Sequence, residues 1–77
     1  MNKNDLEKKL FEKGIPHDAY TLMGGFPNER FCLNEDHGNW EVYYSEHGLK
    51  TQLKRFHLEN DAYEYLYNQL LKVFGKG

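Results

Sequence analysis

The sequence predicts an α+β fold: an N-terminal helix, an antiparallel three- to four-stranded meander, and a C-terminal helix packed on one sheet face. Apolar residues recur at helical spacing at both ends of the chain. Between them, short stretches alternate with period two. Clusters of Gly, Asn, Asp and His separate those stretches, and connections that short force sequential hairpins.

The first helix starts near Asn4, a capping residue with Glu7 three positions on. Leu6, Leu10 and Phe11 are placed on its apolar side, a narrow stripe that predicts weak docking at an edge of the core. Gly14 ends it in the left-handed conformation, Ile15 folds back on Leu10, and Pro16 forbids continuation.

Four strands follow. Ala19 to Met23 alternates, with Tyr20 and Leu22 on one side, and Gly24, Gly25 and Pro27 punctuate a loop. Glu29 to Asn34 sets Phe31 and Leu33 against Arg30 and Cys32, and residues 35–39 form a turn. Trp40 to Ser45 is the strongest strand, with Trp40, Val42 and Tyr44 inward and Glu41, Tyr43 and Ser45 outward. Glu46-His47-Gly48 is a tight hairpin connection, and Leu49 to Phe56 returns. Phe56 is out of phase with Leu53, which predicts a bulge or the strand end between them.

The last helix begins near Leu58 or Asn60, with Glu59, Asp61 and Glu64 at the positive end of its dipole. Ala62, Leu66, Leu70, Val73 and Phe74 form its stripe, widened by Tyr63 and Tyr67, while Tyr65 falls off it. Lys72 favours the last turn and Gly75 stops the helix. One sheet face is therefore packed, and the other meets solvent or a partner.

Residues 1–77 read as a single domain. A chain this short buries only about 60% of its unfolded surface, which leaves no room for a cofactor domain. The net charge of −2 and the pI near 6.0 argue against a protein whose main work is gripping nucleic acid. A single cysteine, an N-terminus without the apolar run of a signal peptide, and no membrane-length apolar stretch together predict a cytoplasmic protein.

Nothing in the sequence assembles an enzyme. Cys32 and Ser45, the sole thiol and the sole serine, sit mid-strand rather than at a helix N-terminus or a strand-to-helix elbow, with Cys32 opposite roughly Val42. His17, His37, His47 and His57 lack metal-ligand spacing. His37 and His47 stand roughly 30 Å apart at about 3.3 Å per residue. Pairing residue 45 with 49 brings His37 opposite His57, an incomplete site at best. The reading is non-catalytic, with no cofactor and no metal.

The informative feature is charge. Residues 35–48 hold Glu35, Asp36, Glu41 and Glu46 without Lys or Arg. An outward Tyr43 among these carboxylates has the composition of an interface anchor, and acidic surfaces steer basic partners. Glu41, Tyr43, Glu46 and His47 form the expected partner-binding set, with Glu35 and Asp36 as steering charges. Lys50, Lys54 and Arg55 make a small basic stripe that reads as a solvated edge.

The element order resembles the double-stranded-RNA-binding domain in topology only. Where that family carries a Lys-rich start to its second helix, this chain reads His57-Leu58-Glu59-Asn60-Asp61-Ala62-Tyr63-Glu64. A second resemblance covers residues 40–66. Trp40-Glu41-Val42-Tyr43-Tyr44-Ser45-Glu46-His47-Gly48, then Phe56, then an acidic helix holding Ala62, resembles small bacterial immunity proteins of polymorphic-toxin and contact-dependent inhibition systems. His47 stands where that pattern carries Arg. The resemblance implies a non-catalytic inhibitor that binds the catalytic domain of a cognate toxin. The alternative is a phage or mobile-element regulator binding a host protein or RNA through Lys50, Lys54 and Arg55.

Overall fold

The computed structural model describes residues 1–25 and 27–75. Helix α1 (Lys3–Glu12) is capped by Asn2 rather than Asn4: the Asn2 side-chain oxygen accepts the Asp5 amide at 2.8 Å. Its C-terminus closes as the sequence leads one to expect. Gly14, at φ +72°, donates to Phe11 O, and Ile15 donates to Leu10 O, each at 3.0 Å. Leu6 and Leu10 are wholly buried, so the helix is anchored more firmly than its narrow stripe implies. Phe11 does not share their side and is 74% exposed. One residue past Leu10, it is turned about 100° away.

The second helix, α2 (Glu59–Phe74), starts at Leu58, which provides no side-chain cap. Ala62, Tyr63, Leu66 and Leu70 are its buried face, while Val73 and Phe74, the last two residues of the expected stripe, are exposed. The Met1 ammonium donates to Asn60 Oδ1, and Lys9 Nζ lies 5.9 Å from the centre of the Tyr67 ring. The two helices therefore run side by side in the same direction. Among the described residues no helix is long and apolar enough to cross a membrane.

The four strands are β1 (Tyr20–Thr21), β2 (Arg30–Asp36), β3 (Asn39–Glu46) and β4 (Leu49–Phe56), in spatial order β1-β2-β3-β4. Strands β2, β3 and β4 form the expected antiparallel meander. The expected strand from Ala19 is cut to two residues, because a 3₁₀ turn occupies His17–Ala19. It pairs parallel with β2, not antiparallel, through Tyr20↔Phe31 and Thr21↔Cys32, which makes the sheet mixed.

Register is set by two turns built alike. His37-Gly38 and His47-Gly48 both have positive φ at each residue. They close the pairs Asp36↔Asn39 and Glu46↔Leu49. This is the primed two-residue turn whose twist suits a hairpin, and His is among the side chains that tolerate the left-handed region. The closing pairs shift the expected register by one. Cys32 lies opposite Tyr43 rather than Val42; with one extra residue in β4 adding a second step, His57 meets Asn39 at 2.9 Å rather than His37.

β4 holds the bulge, but at Gln52 instead of beyond Leu53. Gln52 has φ +56°, and three steps on β4 match two on β3 between Val42↔Lys54 and Tyr44↔Thr51. The core lies between the helices and one sheet face, where Phe31, Leu33 and Val42 meet Leu6, Leu10, Ala62, Leu66 and Leu70. Trp40, Tyr44, Phe56, Tyr65 and Tyr67 pack around its rim. Tyr65 is therefore part of the packing, its ring 5.3 Å from that of Phe56.

The second sheet face is covered, contrary to the expectation of an open one. The chain leaving β1 turns across it. Gly24 donates to Leu33 O at 3.1 Å, Gly25 O accepts the Tyr43 hydroxyl at 2.8 Å, and Asn28 Oδ1 accepts the His47 amide at 3.3 Å. Gly24 is required by closeness as well as by its φ of +71°, since any Cβ there would collide with the Asn34 side chain.

Candidate binding surface

Strand β3 sorts the expected binding residues by alternation. Glu41, Tyr43 and Ser45 point to the face opposite the helices, as expected, but the residues around them cover them. Tyr43 is 1% exposed and Glu41 5% exposed, and Ser45 is wholly buried. Tyr43 is therefore no exposed anchor. Alternation assigns a side of a sheet and is silent about what lies on that side. Burial on both faces had a signal: Phe31-Cys32-Leu33 and Val42-Tyr43-Tyr44 are unbroken apolar or aromatic runs, the mark of a strand covered on both sides.

The charge around Tyr43 is also not what an acidic patch requires. Lys50 Nζ lies 4.7 Å from the centre of the Tyr43 ring and 3.6 Å from Glu41 Oε1. Arg55 Nε lies 3.3 Å from Glu41 Oε2. The register explains the cluster, because Lys50 pairs with Ser45 and Arg55 with Glu41 on one face. Glu41 is thus neutralised within the fold. Burial, and then the neighbouring Cys32 and Glu41, push the Tyr43 phenol up to about 12. Burial likewise raises the Cys32 thiol, with Tyr43, Arg30 and Lys50 drawing it partly back. The thiol contacts Arg30 O at 3.6 Å. A buried thiol held above its ordinary value is a poor nucleophile.

The other four expected residues, exposed apart from a half-buried Glu46, separate into two groups. Glu35 and Asp36 stand by the β2–β3 turn, where Asp36 meets His37 at 2.8 Å. Glu46 and His47 stand at the β3–β4 turn, 3.7 Å apart. The turns close opposite ends of β3, some seven steps apart, or roughly 23 Å at about 3.3 Å per residue. The six residues do not make one surface. Among the described residues no three His, Cys, Asp or Glu side chains are grouped as a metal site requires.

A different group assembles beside the β3–β4 turn, centred on Tyr44, the residue next to the one the sequence singled out. Its half-buried ring meets Phe31 edge-on at 5.0 Å. Burial first, then the carboxylates of Glu46 and Glu29, hold its phenol above the ordinary tyrosine value. Glu29, at φ +56°, lies just before β2 and so reaches the level of Glu46. Leu49, paired with Glu46, is 66% exposed.

From this end a shelf runs along β4. Leu49, Thr51, Lys54 and Phe56 share the helix-side face, opposite Glu46, Tyr44, Val42 and Trp40. All but Phe56 are exposed, because α2 sits over β2 and β3 and meets β4 through Tyr65 on Phe56. A shallow crease marks the boundary, lined by Phe31, Val42, Tyr44, Gln52, Tyr65 and Gln69. Tyr44, Leu49 and Tyr65 were legible only as a rim: each sits at the margin of an apolar stripe, beside a strand whose helix-side positions include Thr51 and Lys54.

Comparison of the chain with family models, with curated proteins and with solved structures finds no match.

Proposed function

We propose that this chain is a non-catalytic inhibitor that binds a basic partner protein, in the manner of an immunity protein neutralising the catalytic domain of a cognate bacterial toxin in the cytoplasm. The observation that carries the reading is a partition of charge. Glu29 and Glu46 flank a half-exposed Tyr44, whereas Lys50 and Arg55 are committed to Glu41. That surface attracts cations while the fold holds back two of its own. The burial of Cys32 and Ser45 supports the non-catalytic half, since the nucleophilic side chains they supply are sealed from substrate.

The motif over residues 40–48 supports the reading less than its sequence suggested. Trp40, Val42 and Tyr44 line the helix face, Glu41 and Tyr43 build the covered face, and His47-Gly48 makes the turn. The alternative, a regulator that grips RNA or a host protein through Lys50, Lys54 and Arg55, is disfavoured. Lys54 faces the helix side, opposite Val42, while Lys50 and Arg55 bind Glu41 on the reverse. These three therefore form no single basic stripe along β4 to follow a phosphate backbone.

The test is genetic and then biochemical. The neighbouring reading frame is expected to encode a large secreted protein with a variable C-terminal domain. Producing that domain is expected to arrest growth, and co-producing this chain to restore it through a stoichiometric complex. Arrest that this chain leaves unrelieved overturns the reading.

A further inference from the structure

We infer that the partner docks on the shelf between α2 and the β4 edge with an apolar segment whose basic side chain lies over Tyr44, between Glu29 and Glu46. This rests on the proposed function and names the contact surface for it.

At this sheet margin, on the helix side, large apolar side chains stand beside the crease. Leu49 is exposed at one end, and Trp40, Phe56 and Tyr65 are half-buried at the other. Tyr44 lies between, and the crease opens beside it. A helix is about 10 Å across, while four strands at about 4.8 Å spacing span more than one helix covers. α2 is seated over β2 and β3 through Ala62, Leu66 and Leu70. α2 reaches β4 through Tyr65 on Phe56, and Leu49, Thr51 and Lys54 are left as an exposed ledge beside it.

Charge selects the occupant. Glu46 shares the helix-side face of β3 with Tyr44, and Glu29, one residue before the Arg30↔Ser45 pair, stands level with Glu46, so the rim of the crease is negative at that end. A partner guanidinium or ammonium there would meet two carboxylates and the π-face or edge of a tyrosine, a combination favoured for cations. Lys54, opposite Val42 on the same face, places a positive charge further along the ledge. It sets the direction of the segment: basic at the turn, acidic or neutral towards Phe56.

A second copy of this chain is the weaker occupant, because strand addition along β4 would set Lys50, Lys54 and Arg55 against their own counterparts. The bulge at Gln52 and these cations are the devices by which sheets resist edge pairing. The inferred contact therefore lies on the face of β4 and leaves its edge unused.

The experiment titrates ¹⁵N-labelled protein with a synthetic acetyl-(Arg-Leu)₅-amide peptide and, separately, with acetyl-(Glu-Leu)₅-amide. The arginine peptide is expected to shift resonances of Tyr44, Leu49, Thr51, Tyr65 and Gln69, and the glutamate peptide to leave them in place. The Glu29→Gln/Glu46→Gln double variant is expected to weaken the arginine peptide by roughly five-fold, consistent with loss of two partly solvated charge contacts. Leu49→Glu, on an exposed side chain, is expected to displace the apolar contact while the protein's own spectrum keeps its dispersion. Shifts mapping to α1 or to the covered sheet face, shifts undiminished in both variants, or no shifts at millimolar peptide overturn the inference. So does a dimer that Leu49→Glu dissolves, since a second copy is then the occupant. If the toxin domain is still neutralised by both variants, the inhibitor function stands and the shelf falls. If the peptide maps to the shelf and no toxin is neutralised, the shelf stands and the function falls.

Discussion

Lys50 lies across the ring of Tyr43, its ammonium 4.7 Å from the ring centre, and reaches beyond it to Glu41. One lysine thus covers an aromatic face and neutralises a buried carboxylate that Arg55 also holds. Its ammonium serves both, meeting the π-face of the ring and the carboxylate together.

Replacing Lys50 by Met keeps the stem and removes the charge. Glu41 then depends on Arg55 alone, and the cation over Tyr43 is lost. The expected cost is about 1–3 kcal/mol in urea denaturation. Glu41→Gln/Lys50→Met is expected to cost clearly less than the sum of the single variants, because each removes the other's reason to be charged. Additive losses would mean that the two side chains do not act as a pair.

The Tyr43 hydroxyl fastens the chain after β1 to the sheet through Gly25 O. Tyr43→Phe leaves a carbonyl without that donor and is expected to cost about 1 kcal/mol. Hydrogen exchange reads the local effect. The amides of Gly24 and His47, which bond to Leu33 O and Asn28 Oδ1, are expected to exchange faster in the variant. Core amides of α2 are expected to follow only the global loss.

Alkaline pH acts through the same phenol. Tyr43 is raised from 10.0 to about 12 in the folded protein. The neutral form is favoured by folding, and the unfolded chain releases its proton first. Stability is therefore fully present below pH 10 and declines as pH rises towards 12, by up to on the order of 2 kcal/mol from this group. Tyr20, Tyr44 and Tyr63 are raised as well and act in the same sense. Tyr43→Phe is expected to flatten the slope of unfolding free energy against pH over this window without abolishing it. An unchanged slope would contradict the burial of the phenol.

The two His-Gly turns respond to side-chain chemistry at each position. Gly38→Ala and Gly48→Ala force a Cβ into φ values of +86° and +76°, and each is expected to cost at least about 1 kcal/mol. His37→Asn moves the other way, because Asn-Gly is the favoured pair for this turn. A gain of about 0.5 kcal/mol is expected, read as a small rise in Tm. A loss there would show that the Asp36–His37 contact outweighs turn preference.

The elements were largely legible because local patterns dictated them. Helical spacing set α1 and α2, Gly14 set the end of the first, and the Gly38 and Gly48 turns set the hairpins. What misled was non-local. The parallel pairing of β1 depends on how the chain after Thr21 travels, and no local pattern records that path. The covering of Tyr43 follows from the same path. Register hinges on two single-residue steps: the closing pair is Glu46↔Leu49 rather than Ser45↔Leu49, and the extra residue at Gln52 adds the second step that sets His57 against Asn39. Of the expected binding residues, Glu35, Asp36 and His47 are exposed, Glu46 is half-buried, and Glu41 and Tyr43 are covered. Tyr44 escaped notice because half-burial puts one side chain in the core and on the surface at once.

The kink at Gln52 has a meaning for solubility. Deleting that residue would leave Trp40 beside Phe56 and Glu41 beside Arg55, so the molecule would still fold with its partners intact. It would also straighten the outer ribbon of the sheet into an uninterrupted template. Such a shortened chain would pair through that margin more readily than the parent, with only the three cations of the strand still in the way: the irregularity serves the crowd of molecules rather than the single one.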